Sequence, residues 1–121
     1  MIYTFENSGH LLQRTNYFDS PAALNGQFYL SWNANCARLL VPDNQKHLLQ
    51  EMKTGKRVEI EIITGGINLV FDDDTETPFV ITLAKEQCDR VLTEKDQGAD
   101  CLVSVYIRLG EKYQFAGRIN G

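Results

Sequence analysis

Strict alternation of apolar and polar residues is the feature that most constrains this chain. Val58, Ile60 and Ile62 alternate with Glu59 and Glu61. Phe79, Ile81 and Leu83 alternate with Val80 and Thr82, and Phe28, Leu30 and Trp32 with Gln27, Tyr29 and Ser31. Cys101, Val103, Val105, Ile107 and Leu109 repeat the pattern. A period of two puts one set of side chains on each face of a strand, so these segments predict half-buried β-structure. Further strands are expected at Ile2–Phe5, Leu11–Phe18, Leu39–Val41, Ile67–Phe71 and Tyr113–Ile119. Turn residues divide them: Asn7-Ser8-Gly9, Asn25-Gly26, Thr64-Gly65-Gly66 and Gly110-Glu111-Lys112.

Two stretches carry a helical period instead. Pro42-Asp43 can open a helix that runs to about Thr54, with Val41, Leu48, Leu49 and Met52 on one face and Gly55 as its stop. Ala84, Cys88, Val91 and Leu92 stand at i, i+4, i+7 and i+8, and Gly98 follows. The expected fold class is therefore α+β: one domain, a mainly antiparallel twisted sheet with two helices packed on one face. A strand–helix–strand–strand unit recurs at an offset of about 43 residues, aligning Leu40, Leu49 and Gly55 with Leu83, Leu92 and Gly98. Residues 38–77 and 78–121 would be tandem copies if this is a duplication. Chance accounts equally for a shared glycine stop and a shared alternation.

With 121 residues, 43% of them apolar, the chain suffices for one core and not for two. The net charge of −4 is unevenly placed. Glu6, Arg14 and Asp19 are the only charged residues before Arg38. That same stretch holds Tyr3, Phe5, Tyr17, Phe18, Phe28, Tyr29 and Trp32. Residues 1–37 are thus aromatic and charge-poor, the composition of an interface centre and equally of a buried strand. Phe28 and Trp32 are expected in the core; Tyr17, Tyr29 and Asn33 are the candidate exposed contacts. The acidic run Asp72, Asp73, Asp74 and Glu76 is the second candidate binding element. It lacks the glycine of an EF-hand loop, so it reads as a solvated tip or as a docking surface for a basic partner.

Catalytic signatures are missing. No nucleophile elbow and no phosphate-cradling loop occurs, and Gly65-Gly66 falls between two strands. Three cysteines without C-x-x-C spacing and two histidines disfavour a zinc site or a disulfide scaffold, and no cofactor is expected. The start of the chain has neither a basic region nor an apolar core of a signal peptide, and no apolar run approaches membrane-spanning length. A cytoplasmic protein with reduced thiols is the expectation. An acidic chain with no basic stripe disfavours nucleic acid as partner.

Two functional readings follow. One is a non-enzymatic interaction module of inhibitor, antidote or adaptor type, binding another protein, or itself as a homodimer, through a sheet face or the acidic loop. The other is a small enzyme or ligand-binding domain with a pocket between sheet and helices. There Cys36 would meet His10 or His47, with Glu59 or Glu61 as acids.

Overall fold

The computed structural model describes residues 2–7, 15–33, 36–50, 56–72, 78–97 and 103–120. Its strands are β1 (Ile2–Asn7), β2 (Thr15–Asn16), β3 (Tyr29–Asn33), β4 (Cys36–Val41), β5 (Lys56–Ile63), β6 (Gly66–Asp72), β7 (Phe79–Ala84), β8 (Val103–Leu109) and β9 (Lys112–Asn120). They form one mixed sheet in the order β3-β4-β8-β9-β1-β5-β6-β7, with β2 added beside β9. All neighbours are antiparallel except β4 and β8, which run parallel from Ala37–Val103 to Val41–Ile107. The sheet curls into a nearly closed, barrel-like shell.

Local sequence explains the hairpins. Thr64 and Gly65 make the two-residue turn between β5 and β6, closed by the Ile63–Gly66 pair, and Gly65 supplies the required positive φ of 79°. The β8–β9 hairpin closes on Leu109–Lys112. A bulge between Val105 and Tyr106 then shifts the register. Gly117 faces inward where β9 meets β1. A Cβ there would lie 2.4 Å from the Glu6 carbonyl oxygen and 3.0 Å from the Phe5 ring, so only glycine lets the strands approach.

Curling gives the shell two apolar layers. Inward residues from every long strand form the main core: Phe5, Leu30, Leu39, Val41, Val58, Leu69, Phe71, Ile81, Leu83, Val105 and Ile119 among them. Phe5 meets Phe71 edge-on at 6.2 Å. A second cluster lies on the outer surface, where Tyr29, Leu40, Tyr106, Tyr113 and Phe115 are covered by Phe18 and Leu24. Segment 17–27 is thus a strap over the outside of β3, β4, β8 and β9.

This architecture corrects the α+β expectation. The fold is mostly β, and among the described residues no pair of helices packs on one face. The first expected helix is reduced to a 3-10 turn at Asp43–Gln45 followed by α1 (Lys46–Gln50), where Leu49 enters the core; residues 51–55 lie outside the described residues. The second is overturned. After Ala84 comes one 3-10 turn, Lys85–Gln87, and Cys88 is extended at φ −137° and ψ 137°. Among the described residues of this stretch, only Glu94–Gln97 is α-helical, as α2. The physical reason is that a closed shell buries its own inner face and needs no helical cover. Cys88, Val91 and Leu92 still reach the core, Cys88 from extended backbone and the other two from beyond a bend at 89–90.

The two units that the sequence aligns, 38–77 and 78–121, also sit differently at the strand level. The hairpins β5–β6 and β8–β9 do correspond. Their leading strands do not: β4 lies parallel beside β8, whereas β7 lies antiparallel beside β6.

Candidate functional site

Closure of the shell depends on one seam. The free edge of β3 presents the carbonyls of Phe28 and Leu30 and the N–H of Trp32. Segment 87–89 answers all three. Gln87 Nε2 donates to the Phe28 oxygen at 3.0 Å, Asp89 N to the Leu30 oxygen at 2.9 Å, and Trp32 N to Asp89 Oδ2 at 3.0 Å. A parallel bridge joins Leu30 to Cys88. The second Asp89 oxygen accepts from the Tyr29 hydroxyl. A side-chain carboxylate therefore takes the place of a strand carbonyl.

Arg90 braces the Trp32 end of the seam. Its guanidinium lies 3.7 Å from the Trp32 ring centre, and Trp32 Nε1 donates to the Arg90 carbonyl at 2.7 Å. Arg90 also makes two bonds to Asp96, at 2.9 and 3.1 Å, which hold that carboxyl down at about 2. Burial, reinforced by Asp89, pushes the Tyr29 phenol up to about 12. Burial and then the Asp89 and Glu86 charges push the Cys88 thiol up to about 11.

The outer surface falls into two parts. Over β3, β4, β8 and β9 it is covered. Phe18 packs edge-on against Tyr106 at 4.8 Å and tilted against Tyr113 at 5.8 Å. The Arg38 guanidinium stacks 4.2 Å from the Phe18 ring centre while its Nη2 donates to Ser31 Oγ and the Trp32 carbonyl. Arg108 Nη1 ties the strap down through Asn25 Oδ1 at 2.8 Å.

Over β5, β6 and β7 the outer surface is open. Register places Glu59, Val70 and Val80 in one row, and Glu61, Asn68 and Thr82 in the next. The second row is a relay: Thr82 Oγ1 donates to Asn68 Oδ1 at 2.8 Å, and Asn68 Nδ2 to Glu61 Oε2 at 3.3 Å. Arg57 pairs with Asp72 at 3.6 Å at one end, and exposed Ile63 lies at the other. An exposed pair of this kind contributes well under about 1 kcal/mol to stability. The face is therefore acidic, with apolar Val80 and Ile63 among its carboxylates.

The candidate residues from the sequence are not one site. Tyr17 is 68% exposed, at the start of the strap. Asn33 is exposed at the end of β3. Tyr29 is corrected as an exposed contact: it is 6% exposed, its ring sits in the outer cluster and its hydroxyl serves the seam. Asp72 ends β6 on the open face, while Asp73, Asp74 and Glu76 lie outside the described residues.

Cys36 is an exposed free thiol that opens β4, and exposed His47 lies in α1 beyond the strand's other end. At about 3.3 Å per residue the strand holds them far beyond hydrogen-bond reach. His10 and Cys101 lie outside the described residues. Phe28 and Trp32 pack on the main core. Among the described residues, no group of three or more His, Cys, Asp or Glu is arranged to hold a metal ion. No helix among them is long and apolar enough to cross a membrane.

Sequence reasoning missed Asp89 and Arg90, because a seam between distant segments leaves no periodic trace. It also passed over Asn68, Val70 and Thr82. Their signal was present as the outward positions of alternating strands next to Glu59 and Glu61.

The class these observations define is a small, nearly closed mixed β-shell with one open acidic face. Comparison with protein families, with curated proteins and with solved structures finds no match to this chain.

Proposed function

We propose that this chain is a non-enzymatic interaction module that binds a basic protein partner through the outer face of β5, β6 and β7 and the acidic run beginning at Asp72. The observation that carries the reading is the asymmetry of cover. The chain's own strap closes one part of the outer surface, and the other stays open with Glu59, Glu61, Val80 and Ile63 exposed. Clustered carboxylates raise encounter rates with a cationic surface, and exposed apolar side chains among them add contact area. Tyr17 and Asn33 are secondary contacts at the strap and the end of β3. Pairing two copies face to face would set carboxylate rows against each other, so complementary charge belongs to a different protein. A reducing, cytoplasmic setting goes with this reading, supported by the free thiols Cys36 and Cys88.

The test is affinity capture from the native host, followed by association kinetics of the recovered partner. Glu59→Gln with Glu61→Gln should slow association several-fold at low salt and flatten its salt dependence. A partner whose on-rate ignores both salt and these substitutions would overturn the acidic-face reading.

A further inference from the structure

Among the described residues, strand β7 is the unguarded end of the sheet. The opposite end, β3, is answered by segment 87–89, whereas β7 has a single ladder partner, β6. Its six residues, Phe-Val-Ile-Thr-Leu-Ala, carry no charge, and its register with β6 is unbroken from Phe79 to Ala84. Native edges are commonly protected by charges, bulges or an internal proline, and this strand has none of them.

The hydrogen-bonding phase identifies the free groups. Lys85 N donates to the Gly65 oxygen, so bonded pairs recur at Leu83–Ile67, Ile81–Leu69 and Phe79–Phe71. The N–H and C=O groups of Val80 and Thr82 therefore point away from β6. Among the described residues no backbone group answers them at that edge. Val80 is 44% exposed, and Thr82 is exposed beside it.

We propose that β7 pairs edge to edge with β7 of a second copy, antiparallel about a two-fold axis through Ile81. Val80 then stands opposite Thr82 of the partner subunit, and Thr82 opposite Val80 of the partner subunit. All four free groups on each copy are bonded. Neighbouring registers of the same phase fail. One brings Pro78 of the partner subunit, which has no N–H, opposite Thr82. The other brings Ala84 of the partner subunit opposite Val80, and the Ala84 N–H is already taken by Gln87 Oε1 at 3.2 Å.

A second copy is the occupant because the register is self-complementary. An uncharged strand meets no like charge when paired with itself, and the contact closes at two. The acidic residues Glu59 and Glu61 lie two strands away, about 9 to 10 Å from the new edge. Dimerisation therefore continues the open face across both copies instead of blocking it. The inference is independent of the partner reading above.

Sedimentation velocity of the purified chain across the micromolar range should show a reversible monomer–dimer equilibrium. Val80→Lys sets two ammonium groups diagonally across the two-fold axis and should weaken the dimer several-fold, with the unfolding midpoint unchanged when measured at dilutions where the chain is monomeric. Hydrogen exchange should find the Val80 and Thr82 amides protected at high concentration and fast on dilution of the unaltered chain. That dilution series decides the matter even if the substitution perturbs folding. A strict monomer overturns the proposal. So does a dimer that keeps its strength in Val80→Lys while the two amides exchange independently of concentration.

Discussion

Asp89 supports more of this molecule than its exposed position suggests. One carboxylate oxygen accepts from the Trp32 amide, the other from the Tyr29 hydroxyl, and its own N–H pairs with Leu30. Asp89→Ala keeps the backbone bond and removes both side-chain bonds, so stability should fall by about 1 to 2 kcal/mol in urea unfolding. Asp89→Asn should cost less, because an amide oxygen still accepts from one of the two donors. The seam also gives the protein an alkaline weakness. Tyr29 and Cys88 ionise at about 12 and 11 when folded, against ordinary values of 10.0 and 9.0. Below pH 9 both are protonated in either state, and their contribution is fully present. As pH rises the unfolded chain loses these protons first, so the contribution is lost through the window from 9 to 12. Urea midpoints should fall steadily across that window, and Tyr29→Phe should remove its upper part. A flat profile would contradict the burial assigned to both groups.

At the scale of elements, the strap and the short helices carry the lesson. Phe18 holds segment 17–27 on the outer cluster through Tyr106, Tyr113 and Arg38. Phe18→Ala should cost about 2 to 4 kcal/mol, at the lower end because Phe18 is only half-buried, and should expose aromatic surface to a dye such as ANS. Unchanged dye binding would mean the strap is held elsewhere. The strands at Ile2–Phe5, Arg57–Ile63, Ile67–Phe71 and Tyr113–Ile119 were legible because alternation and turn glycines agree there. The helix expected after Ala84 was not. Its stripe of Ala84, Cys88, Val91 and Leu92 is compatible with helical and with extended chain, because both can send those side chains inward. Unpaired polar groups on β3, nearly sixty residues earlier where no local pattern reveals them, settle the choice for extended structure at Cys88.

At the scale of the whole molecule, charge and closure act together. The low-charge first third is now accounted for: β3 is buried on both faces, and the strap covers what would otherwise be an apolar outer wall. Glu59, Glu61 and Asp72 lie on the remaining open face. Replacing Asp72, Asp73 and Asp74 by Asn should slow association with a basic partner and leave its dissociation rate nearly unchanged, read by stopped-flow at low and high salt. An equal change in both rates would make these residues contacts and not a steering field.

The sequence by itself determined which residues share a face along the strands that alternate strictly, where the tight hairpins turn, and that no familiar catalytic constellation is spelled out. These are local properties, set by side-chain period and by the backbone freedom of glycine. Only the tertiary structure decided that the sheet curls into a nearly closed shell, that Asp89 answers the β3 edge, that Tyr29 is covered and that Glu59 and Glu61 are left open. Those outcomes depend on which strand edges meet across the chain, and strand pairing is a non-local choice that alternation alone leaves free.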